Sequence, residues 1–303
     1  MMYLPLQNET IVLADGRILG FAQSGDPEGR AVFHFHGLHS SRLEAVVVHE
    51  IVKEAGIRFI GIDRPGIGLS SFQPGRTILD FPSDVEALAD ALGIEEFSLT
   101  AVSAGSPYLF ACLHKLPRRV SSCAIIAGVP PVLELGVDKM PKESRIFISI
   151  AQKFPWLIHP LFWFHYGRLS RHDSDAERFL DHIIRTLERV DHLLLENRDT
   201  REVLLQTFRE SYRQGSRGVA CDGIAVFAKP WGFSLEEIDF RPVRLWHGGK
   251  DNGVPVQLAE SVAERLKGAE LTIYPDEGHL SIVFHHFQEI IHALQTDDHG
   301  FQR

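Results

Sequence analysis

The sequence predicts an α/β fold: a mostly parallel central sheet, covered by helices on both faces and interrupted by an inserted helical cap. Three observations predict it. Short continuous apolar runs alternate with helical patterns up to about residue 129. From about 130 to 235 the alternation stops, and the text becomes helical and rich in Phe, Trp, His and Arg. The alternation then resumes and continues into the last helix. Continuous apolar strands between helices belong to parallel sheets buried on both faces. The chain therefore divides into a first core part (1–129), the cap (130–235) and a second core part (236–303).

The elements follow in order. "TIVLADGRILGFAQSG" is two apolar stretches around Asp15-Gly16, which reads as a β-hairpin. "RAVFHFHG" is a strand and "SRLEAVVVHEIVKEAG" a single helix ended by Gly56. "IRFIGID" is a strand, "DFPSDVEALADALGI" a helix with an acidic first turn, and "FSLTAV" a strand. "SPYLFACLHKL" is a helix and "VSSCAIIAG" a strand. Beyond the insertion, "VRLWHGG" and "AELTIYP" are strands, each followed by a helix: "PVQLAESVAERLKG" and "SIVFHHFQEIIHALQ".

Composition narrows the function classes. The 303 residues, 44% hydrophobic and 23% charged, are ordinary for a globular protein. A net charge of −9 without a long basic run argues against a nucleic-acid footprint or an anionic membrane as partner. Cys112, Cys123 and Cys221 are too few and scattered for a disulfide framework or zinc ribbon, and read as buried thiols of a cytoplasmic protein. "MMYLPLQNET" lacks the pattern of a signal peptide. "IFISIAQKFPWLIHPLFWFHY" is broken by Lys153, Pro155 and Pro160 and makes a poor membrane span.

The chemistry sits at strand ends. "FSLTAVSAGSPYLFACL" puts Ser103 between a strand and a helix, flanked by Ala101, Ala104 and Gly105. A nucleophile elbow needs small neighbours, because its serine rides a sharp, strained turn. Glycine is usual two residues before the nucleophile, and here it is Ala101. Alone the motif is weak. "VRLWHGGKDNGVPV" then ends a strand with a turn carrying Asp251, and "LTIYPDEGHLS" ends the next with a loop carrying His279. Parallel strands collect their following loops at one edge, so Ser103, Asp251 and His279 should gather there. Their order is serine, acid, histidine.

In these motifs the chain resembles the α/β-hydrolase superfamily, particularly its capped serine esterases. "FHFHGLHSS", "GIDRPGIGLSS", "AVSAG", "WHGGKD" and "DEGHLS" stand in family order. The resemblance implies that the His-Gly loop supplies an oxyanion donor, the backbone N–H of Leu38. It also implies a structural D-x-x-G-x-G turn, matched by Asp63, Gly66 and Gly68. Epoxide hydrolases and dehalogenases of the fold carry aspartate where this chain has Ser103.

The stretch "AVFHFHGLHSS" has a competing reading. His34, His36 and His39 are spaced like part of a zinc-hydrolase set, but Leu38 stands where the acidic ligand would be. The hydrolase reading explains His36 and Gly37 and makes His34 a buried, hydrogen-bonded histidine. His39 either lines the pocket or sits on its rim. Asp276 and Glu277 lie too close to His279 to approach its ring from behind. Asp222 and Asp239 read as surface charges, Ser98 and Ser106 lack the elbow geometry, and of His285 and His286 one should be buried and one exposed.

The expected function is hydrolysis of an ester or related acyl bond of a small, apolar substrate, without cofactor or metal. Ser103 attacks, His279 transfers the proton, Asp251 holds the imidazole tautomer, and the N–H groups of Ala104 and Leu38 receive the oxyanion. The same triad could act on a carbon–carbon, lactone, amide or thioester bond, or the fold could serve a non-enzymatic receptor. In the insertion, Phe154, Trp156, Phe162, Trp163, Phe164 and Tyr166 either pack the cap or wall the substrate cleft.

Overall fold

The computed structural model describes residues 8–166, 172–185 and 187–295. Strands β1 (Glu9–Val12) and β2 (Ile18–Gly25) form the hairpin, turning at Gly16 with φ +84°. There follow β3 (Arg30–Phe35), β4 (Ile57–Ile62), β5 (Phe97–Val102), β6 (Val120–Ile126), β7 (Val243–Gly248) and β8 (Ala269–Tyr274). They lie in one eight-stranded sheet, ordered β1-β2-β4-β3-β5-β6-β7-β8. β1, β2 and β4 pair antiparallel, and every pairing from β4 to β8 is parallel.

Helices α1 (Glu44–Val47) and α2 (His49–Glu54) stand where one helix was expected. The break has a local cause. In a continuous helix the Ala45 carbonyl would accept from the N–H of His49; here it accepts from the Ser24 hydroxyl at 2.6 Å. The His49 ring meanwhile takes the N–H of Gly25 at 3.0 Å. The hairpin thus intrudes on the helix, which restarts at His49.

Helices α3 (Phe81–Ala91) and α4 (Ser106–Lys115) pack on one face of the sheet, filling a core that includes Phe33, Phe35, Leu99 and Tyr108. The opposite face is covered by α2 and by α13 (Ser281–Ala293), around Phe59, Ile126 and Phe287. Each fully buried Phe contributes roughly 1.5–3 kcal/mol by leaving water. These opposed cores fix the sheet, and with it the loops at its carboxyl edge.

Between β6 and β7 run α5 (Val132–Leu135), α6 (Lys142–Lys153), α7 (Pro155–Tyr166), α8 (Asp173–Ile184), α9 (Arg189–Glu196), α10 (Arg198–Ser211) and α11 (Arg217–Phe227). They have their own apolar cluster, including Ile158, Phe162, Phe179, Leu205 and Val219. Ile67, from the turn after β4, joins it and ties it to the sheet edge. Helix α12 (Val256–Arg265) connects β7 to β8. Among the described residues no helix is long and apolar enough to cross a membrane.

Candidate active site

Parallel pairing brings the loops after β3, β4, β5, β7 and β8 to one edge. Ser103 follows β5 directly, with φ +51°. A non-glycine residue held in this region costs about 1–3 kcal/mol, and the surrounding packing sustains it. A Cβ on Gly105 would lie 2.1 Å from the Phe35 carbonyl oxygen, so this position must be glycine for β3 and the elbow to touch. Ala101 is fully buried in register with Phe35 and Ile125, and its methyl group is accommodated in the core.

Three predicted residues come together in a relay. The Ser103 Oγ lies 3.0 Å from His279 Nε2. His279 Nδ1 donates to Asp251 Oδ2 at 2.6 Å. Asp251 Oδ1 accepts from the N–H groups of Gly253 and Val254, both at 2.8 Å, which fixes the carboxylate plane. Burial opposes ionisation of Asp251, but the His279 charge and hydrogen bond, with His247 and the Val254 N–H, outweigh it and lower its pKa. Burial likewise opposes a charged His279; the charge and hydrogen bond of Asp251, aided by Asp191, outweigh it and raise its pKa above 6.5. An imidazole so placed can take a proton from a hydroxyl and hold it.

The loop after β3 lies against the elbow. A Cβ on Gly37 would sit 3.7 Å from Ser103 Cβ and 3.6 Å from Glu44 Oε1. The N–H of Gly37 is already given to Glu44 Oε1 at 3.1 Å. Among the described residues, neither the Leu38 nor the Ala104 N–H donates in any loop hydrogen bond.

The three histidines of this stretch have separate partners. His34 is buried, accepts from Thr100 Oγ1 at Nδ1 (2.9 Å) and donates from Nε2 to Glu44 Oε2 (2.8 Å). His36 donates from Nδ1 to the Gly37 carbonyl at 2.8 Å; burial, then the Arg64 charge, push its pKa down to about 3. His39 accepts at Nδ1 from the Tyr212 hydroxyl at 2.6 Å, and burial lowers its pKa to about 4. Its ring sits among Phe162, Tyr166, Phe179 and Tyr212. Among the described residues no cluster of His, Cys, Asp or Glu is grouped to hold a metal.

Asp222 is a correction. Expected on the surface, it is completely buried on α11, between two arginines. Arg64 meets both its oxygens, with Nη2 2.8 Å from Oδ2. Arg76 and the Tyr108 hydroxyl donate to Oδ1 at 2.8 and 2.6 Å. Burial opposes its ionisation, but the two guanidinium groups win and hold its pKa well below the carboxylate range. Arg64 then donates onward to the carbonyls of His36 (2.5 Å) and Gly37 (3.0 Å). The inserted helix thereby braces the loop beside Ser103. Its approach needs Gly218, where a Cβ would lie 1.9 Å from the Gly66 carbonyl oxygen. Asp222→Ala should destabilise the protein by about 3–5 kcal/mol in urea unfolding, since it strands two buried cations. A loss below about 1 kcal/mol would show that the network does not hold the fold.

Asp191 on α9 was not anticipated; its carboxyl group accepts from the N–H groups of His279, Leu280 and Ser281. Sequence offers a signal only for Asp222: one acid in the otherwise small, apolar run "GVACDGIAVF". The other residues fall as follows. Asp63 is buried in its turn, accepting from Arg42 and from the Leu69 N–H, and a Cβ on Gly68 would strike its carboxylate at 2.1 Å. Asp239 is exposed, and Asp276 pairs with Lys250 at the surface. Ser106 donates to the carbonyls of Ser103 and Val129, and Ser98 bonds Ser122. Both His285 and His286 meet Glu277; His285 is exposed and His286 half-buried, where one fully buried ring was expected.

The aromatic stretch also divides. Phe162 is buried and, with Tyr166, faces His39. Phe154, Trp156, Trp163 and Phe164 are exposed, at 49–75%. They neither pack the insertion onto the sheet nor form a closed wall. Phe154 ends α6, and along α7 Ile158 and Phe162, one turn apart, take the buried stripe and leave Trp156, Trp163 and Phe164 outward.

Comparison with known proteins identifies the family and the fold. The family model described as alpha/beta hydrolase fold matches residues 31–286. The uncharacterized hydrolase YcgS of Bacillus subtilis is 25% identical over 278 residues, covering 90% of this chain and 91% of its own. A hydrolase from Pseudomonas aeruginosa superposes with a TM-score of 0.69 at 18% identity, over 96% of this chain and 99% of that one. A thermophilic esterase from Thermogutta terrifontis gives 0.67 at 20% identity, over 95% and 97%. The family match spans most of the chain, and the protein is a hydrolase belonging to the alpha/beta hydrolase family.

Proposed function

We propose that the protein cleaves a carboxylic ester or related acyl bond of a small, apolar substrate through Ser103, His279 and Asp251. The relay of 3.0 Å and 2.6 Å hydrogen bonds, launched from a serine at φ +51°, is the observation that carries this reading. The Ser103 oxygen adds to the substrate carbonyl as its proton passes to His279 Nε2. The oxyanion is received by the N–H groups of Ala104 and Leu38, which remain free once Glu44 has taken that of Gly37. Collapse expels the alcohol, which takes the proton from His279, and leaves an acyl-enzyme. Water then repeats the sequence and releases the acid. Residues 130–235 serve as the cap over this edge, with Phe162, Tyr166 and His39 on its inner side.

A fluorophosphonate probe tests the reading: it should label Ser103 and no other residue. A panel of p-nitrophenyl acetyl, butyryl and hexanoyl esters, run beside thioester, lactone and anilide counterparts, then identifies the bond. Each added CH₂ that is buried should raise kcat/KM about fourfold, from roughly 0.8 kcal/mol. Labelling elsewhere, or turnover confined to non-acyl bonds, would overturn the proposal.

The pH profile gives a second check. His279 must be neutral to act as base, and its pKa is raised because Asp251 and Asp191 outweigh burial. Activity should therefore be complete above that value and fall as pH drops through it, with the acid limb of kcat/KM lying above pH 6.5. A profile flat down to pH 5.5 would remove His279 from the role.

A further inference from the structure

The carboxyl group of Asp191 lies in an unusual position for a residue of the inserted helices. It is completely buried, and both oxygens accept hydrogen bonds from one short segment of the β8–α13 loop. Oδ2 takes the N–H of His279 at 3.0 Å. Oδ1 takes those of Leu280 at 3.1 Å and Ser281 at 2.8 Å. Among the described residues it has no ion-pair partner. Its compensation comes from three backbone dipoles at the start of α13, a helix whose own N-cap residue, Leu280, supplies no side-chain cap. The contact is tight: a Cβ on Gly278 would lie 2.5 Å from Asp191 Oδ2. Only glycine there lets the loop close over the carboxyl group.

This arrangement bears on one catalytic group. The backbone of His279 is held at its N–H by Asp191, while the ring is held at Nδ1 by Asp251 and faces Ser103 at Nε2. His247 lies behind Asp251, with Nε2 3.4 Å from Oδ2 and giving its hydrogen bond to the Val254 carbonyl. The loop bearing the imidazole would otherwise rely on Ser281, whose hydroxyl takes the Gly278 N–H at 2.7 Å. We infer that Asp191 is a positioning residue for His279: the inserted helix α9 caps α13 from across the chain and so sets where the imidazole stands. The inference rests on the triad reading above and goes beyond it, making the insertion part of the catalytic scaffold as well as a cover. The same carboxylate is a second negative charge near His279 and adds to the support that Asp251 gives its protonated form.

The experiment compares Asp191→Asn with Leu195→Ala in the full chain. Leu195 is buried on the same helix in the apolar cluster of the insertion, against which Leu280 also packs, so its truncation loosens apolar packing around α9 while leaving the three Asp191 hydrogen bonds to the loop in place. Both variants are assayed well below their own melting temperatures. Asp191→Asn should leave KM within about twofold and lower kcat by about 10–100-fold, the scale of a small misplacement of a catalytic group. Its acid limb of kcat/KM should also move to lower pH, because less negative charge stabilises the imidazolium. Leu195→Ala should lower Tm yet keep the wild-type limb and most of kcat. Equal effects of the two variants, or an Asp191→Asn enzyme with unchanged kcat and limb, would overturn the inference. Should Asp191→Asn fail to fold, Asp191→Ser keeps one acceptor for the loop and carries the same two expectations. Fluorophosphonate labelling of Ser103 in the wild-type protein separates the two levels: absent labelling sinks the triad, while labelling with an indifferent Asp191 sinks only its positioning role.

Discussion

Ser103→Ala is expected to abolish turnover and leave the fold intact. In the proposed reaction the hydroxyl is the attacking atom, and nothing else in the elbow can replace it: Ala101 and Ala104 are inert, and the Ser106 hydroxyl is committed to the carbonyls of Ser103 and Val129. By analogy with other serine triads kcat should fall by about a millionfold, with the oxyanion N–H groups sustaining whatever catalysis remains. Stability should barely change. Alanine meets the same backbone strain at φ +51° as serine does, and among the described residues the only side-chain hydrogen bond lost is the one to His279, which remains bound to Asp251. Kinetics with the preferred p-nitrophenyl ester and a thermal melt check both halves. More than a tenth of wild-type activity, in a preparation free of contaminating esterase, would move the nucleophile elsewhere.

What was legible in the sequence was local. The elbow, the turn at Asp251 and the loop at His279 each follow directly on an apolar strand, so a strand pattern and one polar residue were enough to propose them. Parallel topology did the rest, because it sends every such loop to one edge. What was illegible involves partners far apart in the chain. Asp222 meets Arg64 across 158 residues, and Asp191 meets His279 across 88. Acids on helices default to solvent in a sequence reading, and only tertiary packing reveals that these two are buried. The single helix expected over 41–56 failed for a related reason: the Ser24 hydroxyl that takes the Ala45 carbonyl comes from another strand. The aromatic stretch was left open between packing the cap and walling the cleft, and the structure divides it: Phe162 is buried, whereas Trp156, Trp163 and Phe164 on α7 turn outward.

Asp251→Asn should cost about four orders of magnitude in kcat with the geometry nearly preserved. The hydrogen bonds around this carboxylate dictate which way the amide turns. Oδ1 is fixed by two N–H donors, from Gly253 and Val254, so the asparagine oxygen must stay there and the NH₂ group must face His279. That donor forces Nδ1 of the imidazole to become an acceptor and moves the ring proton to Nε2. Nε2–H then points at the Ser103 hydroxyl, 3.0 Å away, and the base has no lone pair to take its proton. The charge that supports the imidazolium is lost as well, so the acid limb should fall to lower pH along with kcat. Asp276→Asn is the matched control, since Asp276 is three residues from His279 but 88% exposed and bonded to Lys250. It should change kcat by less than about twofold, as a surface ion pair contributes little. If Asp276→Asn proves the crippling change and Asp251→Asn the mild one, the acid of the triad is Asp276, and the 2.6 Å bond between Asp251 and His279 has no part in the chemistry.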